Sequence, residues 1–284
     1  MKTDKRRLKE EISSSFIGVK RRLYRILSLV LALAALISVR PLLQAQPGRG
    51  GVTPPASAKV AAPVDLTGYW VSPVMEDYRW RMVTPLKGDA ASVPINDAAR
   101  KVVDAWDPGK DEAAELACKA YGAPALMRVP GRLHITWQDD NTLKIETDAG
   151  TQTRLFHFGG TAPKNAEPSW QGFSSARWDP GVGPGPGGLG FLGTNRIGNK
   201  SRSLEVVTTN LRPGYLRKNG VPYSARTTLT EYYDRFTEPN GDEWFTVTTI
   251  VTDPEYLAAP FVTTTDFRRE PDGSRWSPSP CSAR

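Results

Sequence analysis

The feature that most limits how this chain can fold is a series of short segments in which apolar and polar residues alternate. The clearest is RLHITWQDDNTLKIETDAGTQTRLFHF (132–158), which contains both histidines of the chain. Alternation with a period of two is typical of β-strands that bury one face. Further segments of this kind lie at 171–178, 203–211, 227–236, 244–252 and 261–268. We therefore expect a mainly β protein, an antiparallel calycin-like barrel or sandwich, formed by one domain over 65–284.

Two short helices are expected before this central sheet. NDAARKVVDAW (96–106) begins with Asn96, a residue that favours the N-cap position, and carries apolar residues at helical spacing. KDEAAELACKAYG (110–122) has acidic residues in its first turn, and Gly122 follows its end.

The register of the first two strands can be predicted from which residues it places on one face. A three-residue loop at 139–141 pairs Ile135 with Ile145 and His134 with Glu146. A two-residue loop would instead pair Ile135 with Glu146, so the longer loop is favoured. The His134–Glu146 pair is then a candidate acid–base site, since a cross-strand carboxylate can orient an imidazole. The alternative is a solvated charged surface, which cross-strand ion pairs commonly form.

The two histidines are not expected to share a metal ion. A two-residue turn at 149–150 places His157 opposite Thr142, about 16 Å from His134 by strand rise and spacing. A three-residue turn would put the histidines on opposite faces. We expect no metal site and no cofactor.

A later hairpin is predicted at Asn240–Gly241, a strong two-residue turn signal. This turn would place Phe236 opposite Phe245.

The strand before that turn carries Glu231, Tyr233 and Arg235 on one face. Such a polar row is expected to face solvent. If it faces a cavity instead, Glu231 becomes a second candidate catalytic residue.

Two segments mix basic and aromatic residues, a combination that can hold an anionic or aromatic ligand. The first, LRPGYLRKNGVPYS (211–224), contains Arg217 and Lys218; the second, EDYRWRMVTP (76–85), has Trp80 between two arginines. The candidate ligand-binding residues are Arg132, Tyr215, Tyr223, Tyr233, Arg235 and Tyr256.

The basic charge of the chain is confined to its N-terminal end. Residues 1–45 contain ten basic and three acidic residues, whereas the rest of the chain contains 27 of each. A neutral body argues against nucleic acid as a partner. The stretch ILSLVLALAALISV (26–39) is too short for a comfortable membrane span and resembles a secretory signal.

We therefore expect 1–45 to be a signal peptide or an uncleaved N-terminal anchor. Residues 46–64 are expected to form a flexible linker. The body is expected in the periplasm or outside the cell, with membrane contact only through the N-terminal segment if that segment is uncleaved.

Cys118 and Cys281 are the only cysteines of the chain. An exported protein with two cysteines is expected to join them, with two buried thiols as the alternative.

The segments GYWVS (68–72), TEYYDRF (230–236) and TIVTDPEYLAAPF (249–261) resemble marks of a family of exported, β-rich bacterial proteins. The family marks are a T-E-R-F-like strand and T-x-x-D-P-x-x-Y-x-x-P-[FW]. Here the first is longer, and the spacing from Thr249 to Asp253 is stretched by one residue. The resemblance implies a lipocalin-like barrel and carries no activity with it.

Three functions follow from these observations. The leading hypothesis is an exported barrel that encloses a small apolar or aromatic molecule. The second is a cofactor-free lyase, isomerase or hydrolase that uses His134, Glu146 or Glu231 as acid–base groups. The third is an envelope protein-interaction module with a filled core and an exposed apolar patch.

Overall fold

The structure is a computed structural model that describes residues 56–179 and 203–284. The expected leader, 1–45, and most of the expected linker lie outside these residues. The strands are β1 (Gly68–Val71), β2 (Arg132–Asp139), β3 (Thr142–Thr147), β4 (Thr153–Phe158), β5 (Phe173–Trp178), β6 (Ser203–Thr209), β7 (Gly214–Arg217), β8 (Val221–Tyr223), β9 (Thr228–Thr237), β10 (Glu243–Thr252) and β11 (Phe261–Glu270). The helices are α1 (Tyr78–Arg81), α2 (Asp97–Ala105), α3 (Pro108–Ala113) and α4 (Ala123–Leu126), with a 3₁₀ turn at Ala117–Tyr121.

Nine of these strands close into a barrel in the order β1-β11-β10-β9-β6-β5-β4-β3-β2. The two others, β7 and β8, form a separate hairpin. Neighbouring barrel strands are antiparallel, except that β4 and β5 are parallel. The expected mainly β barrel with short helices before the central sheet is confirmed.

The register predicted for β2, β3 and β4 is also confirmed. Ile135 pairs with Ile145, and His134 pairs with Glu146. His157 pairs with Thr142, which separates the two histidines as expected. The prediction holds because the apolar residues of β2 and β3 point into the barrel together, and a slip of one residue would place Glu146 opposite Ile135.

The register predicted for β9 and β10 is wrong by one residue. Phe245 pairs with Arg235 and Phe236 with Trp244, so the two phenylalanines are not opposite each other. The turn has five residues, 238–242, because the Glu238 amide donates to the Asp242 carbonyl and the Asn240 side chain bonds to Asp242. As a result, Phe245 is buried in the barrel and Phe236 is exposed.

The first predicted helix is confirmed, whereas the second is interrupted. Asn96 caps α2 by accepting a hydrogen bond from the Ala99 amide. The second segment forms α3 and then the separate 3₁₀ turn, because Glu115 lies in the left-handed backbone region between them.

Inward-facing side chains fill the barrel. Its largest fully buried residues are Trp70, Arg154, Tyr233, Phe156, Phe245 and Phe267. The Trp70 and Phe245 rings meet edge to face at 4.7 Å, and the Trp70 indole donates to the Leu66 carbonyl. Each fully buried large apolar side chain contributes about 1.5–3 kcal/mol to folding.

A second apolar cluster packs α2 against the β7–β8 hairpin. It contains Val103, Leu216, Val221 and Tyr223. A disulfide joins Cys118, in the 3₁₀ turn, to Cys281 after β11. Within the described ranges, no helix has both the length and the apolar character that a membrane crossing requires.

Candidate functional site

Two of the three residues in the polar row on β9 lie inside the barrel, contrary to the expectation that the row faces solvent, and the third, Arg235, is partly exposed. Glu231 and Tyr233 are fully buried. Their charge partner is Arg154 on β4, which the sequence analysis did not identify. Alternation in β4 could have identified it, because Arg154 lies two residues before the buried Phe156.

Arg154 and Glu231 form a two-point ion pair. Nη1 lies 2.9 Å from Oε1 and Nη2 lies 2.6 Å from Oε2. Thr208 accepts from Nη2 at 3.2 Å, and the Tyr233 hydroxyl donates to Glu231 at 3.3 Å. Burial disfavours the charged guanidinium, but the Glu231 carboxylate more than offsets this and raises the pKa of Arg154. Burial, assisted by Glu231, raises the pKa of Tyr233. Arg154 and Tyr233 thus keep their protons, and no solvent reaches them.

His134 and Glu146 lie on the outer face of the barrel, because the neighbouring Leu133 and Ile135 point inward. His134 Nδ1 is 3.4 Å from Glu146 Oε2, and Lys144 Nζ is 3.0 Å from the same oxygen. The imidazole stacks on the Tyr69 ring at 4.2 Å. This geometry is that of a cross-strand polar contact at the barrel surface, and it does not place the two side chains in a cavity.

The predicted ligand-binding residues are not brought together. Arg132 binds Glu270 with a nitrogen–oxygen distance of 2.8 Å. Arg235 donates to the Asp65 carbonyl and pairs with Glu243. Both side chains thus have acidic partners at the barrel surface.

Besides the buried Tyr233, the three predicted tyrosines that remain also lie apart. Tyr215 donates to Asp111 at 2.9 Å beside Lys119. Tyr223 is fully buried in the second apolar cluster, and Tyr256 lies in the turn after β10. No common ligand site includes all three.

The two basic and aromatic segments do converge, at a cavity that we call the arginine pocket. It is lined by Trp80, Arg81, Val83, Ala120, Ala125, Arg128, Val129, Pro130, Leu216, Arg217 and Lys218. One wall comes from α1 and the residues after it, the second from the end of α4, and the third from β7. Arg128 was not expected, because nothing in the sequence around it indicates that α4 ends against the other two segments.

Arg81 and Arg128 are buried and hold the first two walls together. Arg81 Nε donates to the Arg128 carbonyl at 2.9 Å, and Nη2 donates to the Ser72 hydroxyl at 2.8 Å. Arg81 also pairs with Glu76, and Arg128 pairs with Asp77 at 2.7 Å. Two of the three pocket arginines therefore have a carboxylate partner.

The third arginine, Arg217, has none in the part of the chain that the structure describes. A bulge between Tyr215 and Arg217 breaks the alternation of β7, so that Leu216 and Arg217 are both buried. The guanidinium donates to the Ala91 carbonyl at 2.7 Å and lies 4.7 Å from the centre of the Trp80 ring. Neither contact supplies a negative charge.

On balance the surroundings of Arg217 oppose its charge, although the carboxylates of Asp77 and Asp89 favour it. Burial, followed by repulsion from Arg128, lowers its pKa to about 10. The group is still cationic at neutral pH. Its Nε and the Nη1 of Arg128 are buried and have no hydrogen-bond partner among the described residues.

The turn after β7 fixes the position of Arg217. Asn219 is fully buried, and its amide donates to the carbonyls of Leu86 and Asp89 at 2.9 and 2.8 Å. The next residue, Gly220, has a φ of 83°, and the Trp106 ring packs where its side chain would be. These contacts hold the turn against the segment that follows α1.

The arginine pocket has a volume of about 30 Å³. This volume holds a small polar group but not a drug-sized molecule, for which cavities measure about 300–1,000 Å³. Guanidinium groups bind carboxylate, phosphate and sulfate oxygens through charge and paired N–H groups. The chemistry that the pocket offers is therefore the binding of one small anionic group.

The described residues contain no cluster of three or more His, Cys, Asp or Glu side chains that could hold a metal ion. No protein-family model, curated protein or solved structure matches the chain. The resemblance to the exported β-rich family stays a prediction.

Proposed function

We propose that this protein is an exported binding protein that holds a small ligand by its anionic group in the arginine pocket. The observation that carries the proposal is the placement of Arg217. Its guanidinium is buried beside a second arginine, has no carboxylate partner in the described ranges, and has an unpartnered nitrogen. The proposed function is binding alone, without chemical conversion of the ligand.

The energetics favour an anion at this position. Breaking a buried ion pair destabilises the folded state by about 3–5 kcal/mol, which shows how costly an uncompensated buried charge is. Arg217 is only partly compensated, by the Ala91 carbonyl and by the more distant carboxylates of Asp77 and Asp89. An anion beside Arg217 would offset the burial and the repulsion from Arg128. Because such a ligand binds only the folded pocket, it also stabilises the fold by mass action.

We do not propose nucleic acid as a partner for the site, since recognition of a phosphate backbone needs several spaced cations. The acidic Glu76 and Asp77 flank the pocket and reduce its long-range positive potential. A single small anionic group would balance Arg217, the pocket arginine that has no carboxylate partner within the described ranges.

Export is part of the proposal and is supported by the disulfide. Disulfides persist in oxidising compartments and are rare in the cytosol. The leader over 1–45 supports the same localisation, either as a cleaved signal peptide or as an anchor.

The two other hypotheses for small molecules have less support. A ligand inside the barrel would need to displace packed aromatic side chains such as Trp70 and Phe245. An acid–base enzyme would need Glu231 to reach a substrate, but it is buried in its pair with Arg154. Both stay predictions.

The experiment that tests the proposal measures thermal unfolding and calorimetric binding with inorganic phosphate, sulfate and acetate at constant ionic strength. The Arg217→Met substitution keeps an unbranched apolar stem and removes the charged guanidinium. The control is Arg177→Met on β5, whose side chain is 68% exposed.

We expect at least one of the three anions to raise Tm in a saturable way in the native chain and in the control, and not in the Arg217→Met chain. Without anion, the Arg217→Met chain should unfold at the same Tm as the native chain or a higher one, because it lacks the unpaired buried charge. The proposal is refuted if none of the anions binds saturably or if the Arg217→Met chain binds equally well.

A further inference from the structure

The segment that forms one wall of the arginine pocket also exposes an unusual number of large apolar side chains. They are Met75, Tyr78, Met82, Val83 and Leu86, with exposed fractions from 45% to 82%. In the described residues, only three other large apolar side chains are comparably exposed, and these lie elsewhere in the sequence. We call the five exposed residues of the segment 75–86 the apolar rim.

The apolar rim and the pocket are physically continuous. Val83 lines the pocket and is 64% exposed, so it belongs to both. Tyr78 begins α1 and Met82 follows its end, one helical turn away, since the Met82 amide donates to the Tyr78 carbonyl. Arg79, also exposed, lies between them.

The segment is held in place by buried contacts rather than by burial of its own apolar side chains. Asn219 binds the Leu86 carbonyl, and Arg81 anchors α1 to Ser72 and to the end of α4. The fold thus fixes the backbone of the segment while five large apolar groups stay in water. A monomeric soluble protein rarely leaves a patch of this kind without a binding role.

We propose that the apolar rim and the arginine pocket together bind the surface of a membrane that contains anionic phospholipid. The headgroup phosphate occupies the pocket, and the rim side chains enter the boundary between headgroups and acyl chains. This inference rests on the proposed function, because it names the anionic group that the pocket holds.

Charge complementarity favours lipid over a protein partner. An anionic phospholipid presents a phosphate and, next to it, apolar acyl chains. The protein presents an anion pocket and, next to it, apolar side chains. The volume of about 30 Å³ has room for one or two water-sized groups, such as phosphate oxygens, and excludes a bulky side chain.

Total binding to vesicles does not test this inference, because the apolar stretch 26–39 would bring the full chain to any membrane. The test uses local hydrogen exchange of the full chain, measured over residues 75–86 and compared with the exposed turn at 238–242. The chain is studied with phosphatidylcholine vesicles, with vesicles that also contain phosphatidylglycerol, and with soluble glycerol phosphate.

We expect phosphatidylglycerol vesicles to slow exchange over 75–86 at least several-fold relative to phosphatidylcholine vesicles, with no change at 238–242. Glycerol phosphate should bind the pocket and raise Tm without protecting Leu86. The double variant Met82→Ser/Leu86→Ser, which alters neither pocket charge nor lining, should lose the vesicle effect and keep the glycerol phosphate effect. Val262→Ser, on the outer face of β11, is the control and should behave as the native chain.

The results that would contradict the membrane inference differ from those that would contradict the proposed function. Equal exchange with both vesicle types overturns the membrane inference, and the proposed function stands if glycerol phosphate still binds. Protection that depends on protein concentration and not on lipid also overturns it, in favour of contact between copies of the chain. Loss of glycerol phosphate binding from the native chain, together with failure of the other anions, overturns the proposed function as well.

Discussion

Arg154 and Glu231 lie on strands that are not neighbours, β4 and β9, and they form a two-point ion pair in the middle of a closed barrel. Both side chains are fully excluded from solvent. The pair links β4 to β9 through the barrel interior, across the two strands, β5 and β6, that lie between them in the barrel wall. The structure therefore predicts that removing either side chain destabilises the fold, because the other charge would stay buried without its partner.

Arg154→Met should lower the free energy of unfolding by about 3–5 kcal/mol, because it leaves the Glu231 carboxylate buried without a counter-charge. Arg177→Met, which removes an exposed ion pair with Glu205, should lower it by less than about 1 kcal/mol. Urea unfolding at neutral pH measures both values. The double variant Arg154→Met/Glu231→Met should recover part of the loss; strict additivity of the two single changes would contradict the interpretation.

The disulfide should contribute on the order of 5 kcal/mol to stability, because Cys118 and Cys281 are separated by 163 residues and constrain a long loop in the unfolded chain. Addition of a reductant should lower Tm of the native chain. The Cys118→Ser/Cys281→Ser chain should have the Tm of the reduced native chain, both with and without reductant. A native Tm that does not respond to complete reduction would rule out this contribution.

Asp253 should make stability depend on pH in the acidic range. Burial alone would raise the pKa of this carboxyl, but the Ser224 amide, the Thr227 hydroxyl and the Glu255 amide donate to it and hold its pKa below the ordinary value. A carboxyl with a lowered pKa stabilises the fold above its unfolded pKa, near 4, and loses this effect as the pH falls through the folded pKa.

Asp253→Asn should therefore be less stable than the native chain at pH 7, by about 1–3 kcal/mol for the lost acceptor. The difference should shrink as the pH falls below about 4. Urea midpoints of both chains from pH 7 to pH 3 test this expectation. A difference that stays constant over that range would show that Asp253 contributes no pH dependence.

Gly220 and Gly241 form a matched pair for measuring the packing of the turn after β7. Their φ angles are 83° and 90°, so alanine should cause similar backbone strain at both positions, about 1 kcal/mol. At Gly220 an added Cβ would lie 2.3 Å from Trp106 ring atoms, whereas at Gly241 nothing lies within 4 Å. Gly220→Ala should therefore cost about 1–3 kcal/mol more than Gly241→Ala in chemical unfolding. Equal losses would mean that Trp106 moves away without penalty.

The sequence was sufficient to predict most barrel strands and the register of β2, β3 and β4, because apolar residues alternate clearly in β2 and β3. The β7–β8 hairpin was not predicted. It was insufficient for β9 and β10, where phenylalanines occupy both faces and the Asn240–Gly241 signal lies inside a longer turn. The parallel pairing of β4 with β5 was also not predictable, since strand order depends on contacts between distant segments.

The candidate site was partly predictable. Trp80 and Arg217 were identified because basic residues beside aromatic residues have a known binding chemistry. Their proximity was not predictable, and neither was the burial of Arg217, which depends on a bulge in β7. Arg128 was not predicted as a pocket residue, because it reaches the pocket only through the packing of the end of α4 against segments distant in sequence. The polar row of β9 was misplaced because its partner, Arg154, lies on a distant strand.

The position of the disulfide has a consequence for how the molecule responds to mechanical tension. The bond closes a covalent ring from 118 to 281, and this ring contains ten of the eleven strands. A force applied to the two chain ends is therefore carried by the Cys118–Cys281 bond and bypasses the strands within the ring. About 160 residues, or roughly 550 Å of extended chain, stay out of reach of the force until the bond is reduced. In single-molecule pulling, the oxidised chain should release only the residues before Cys118 and the three residues after Cys281.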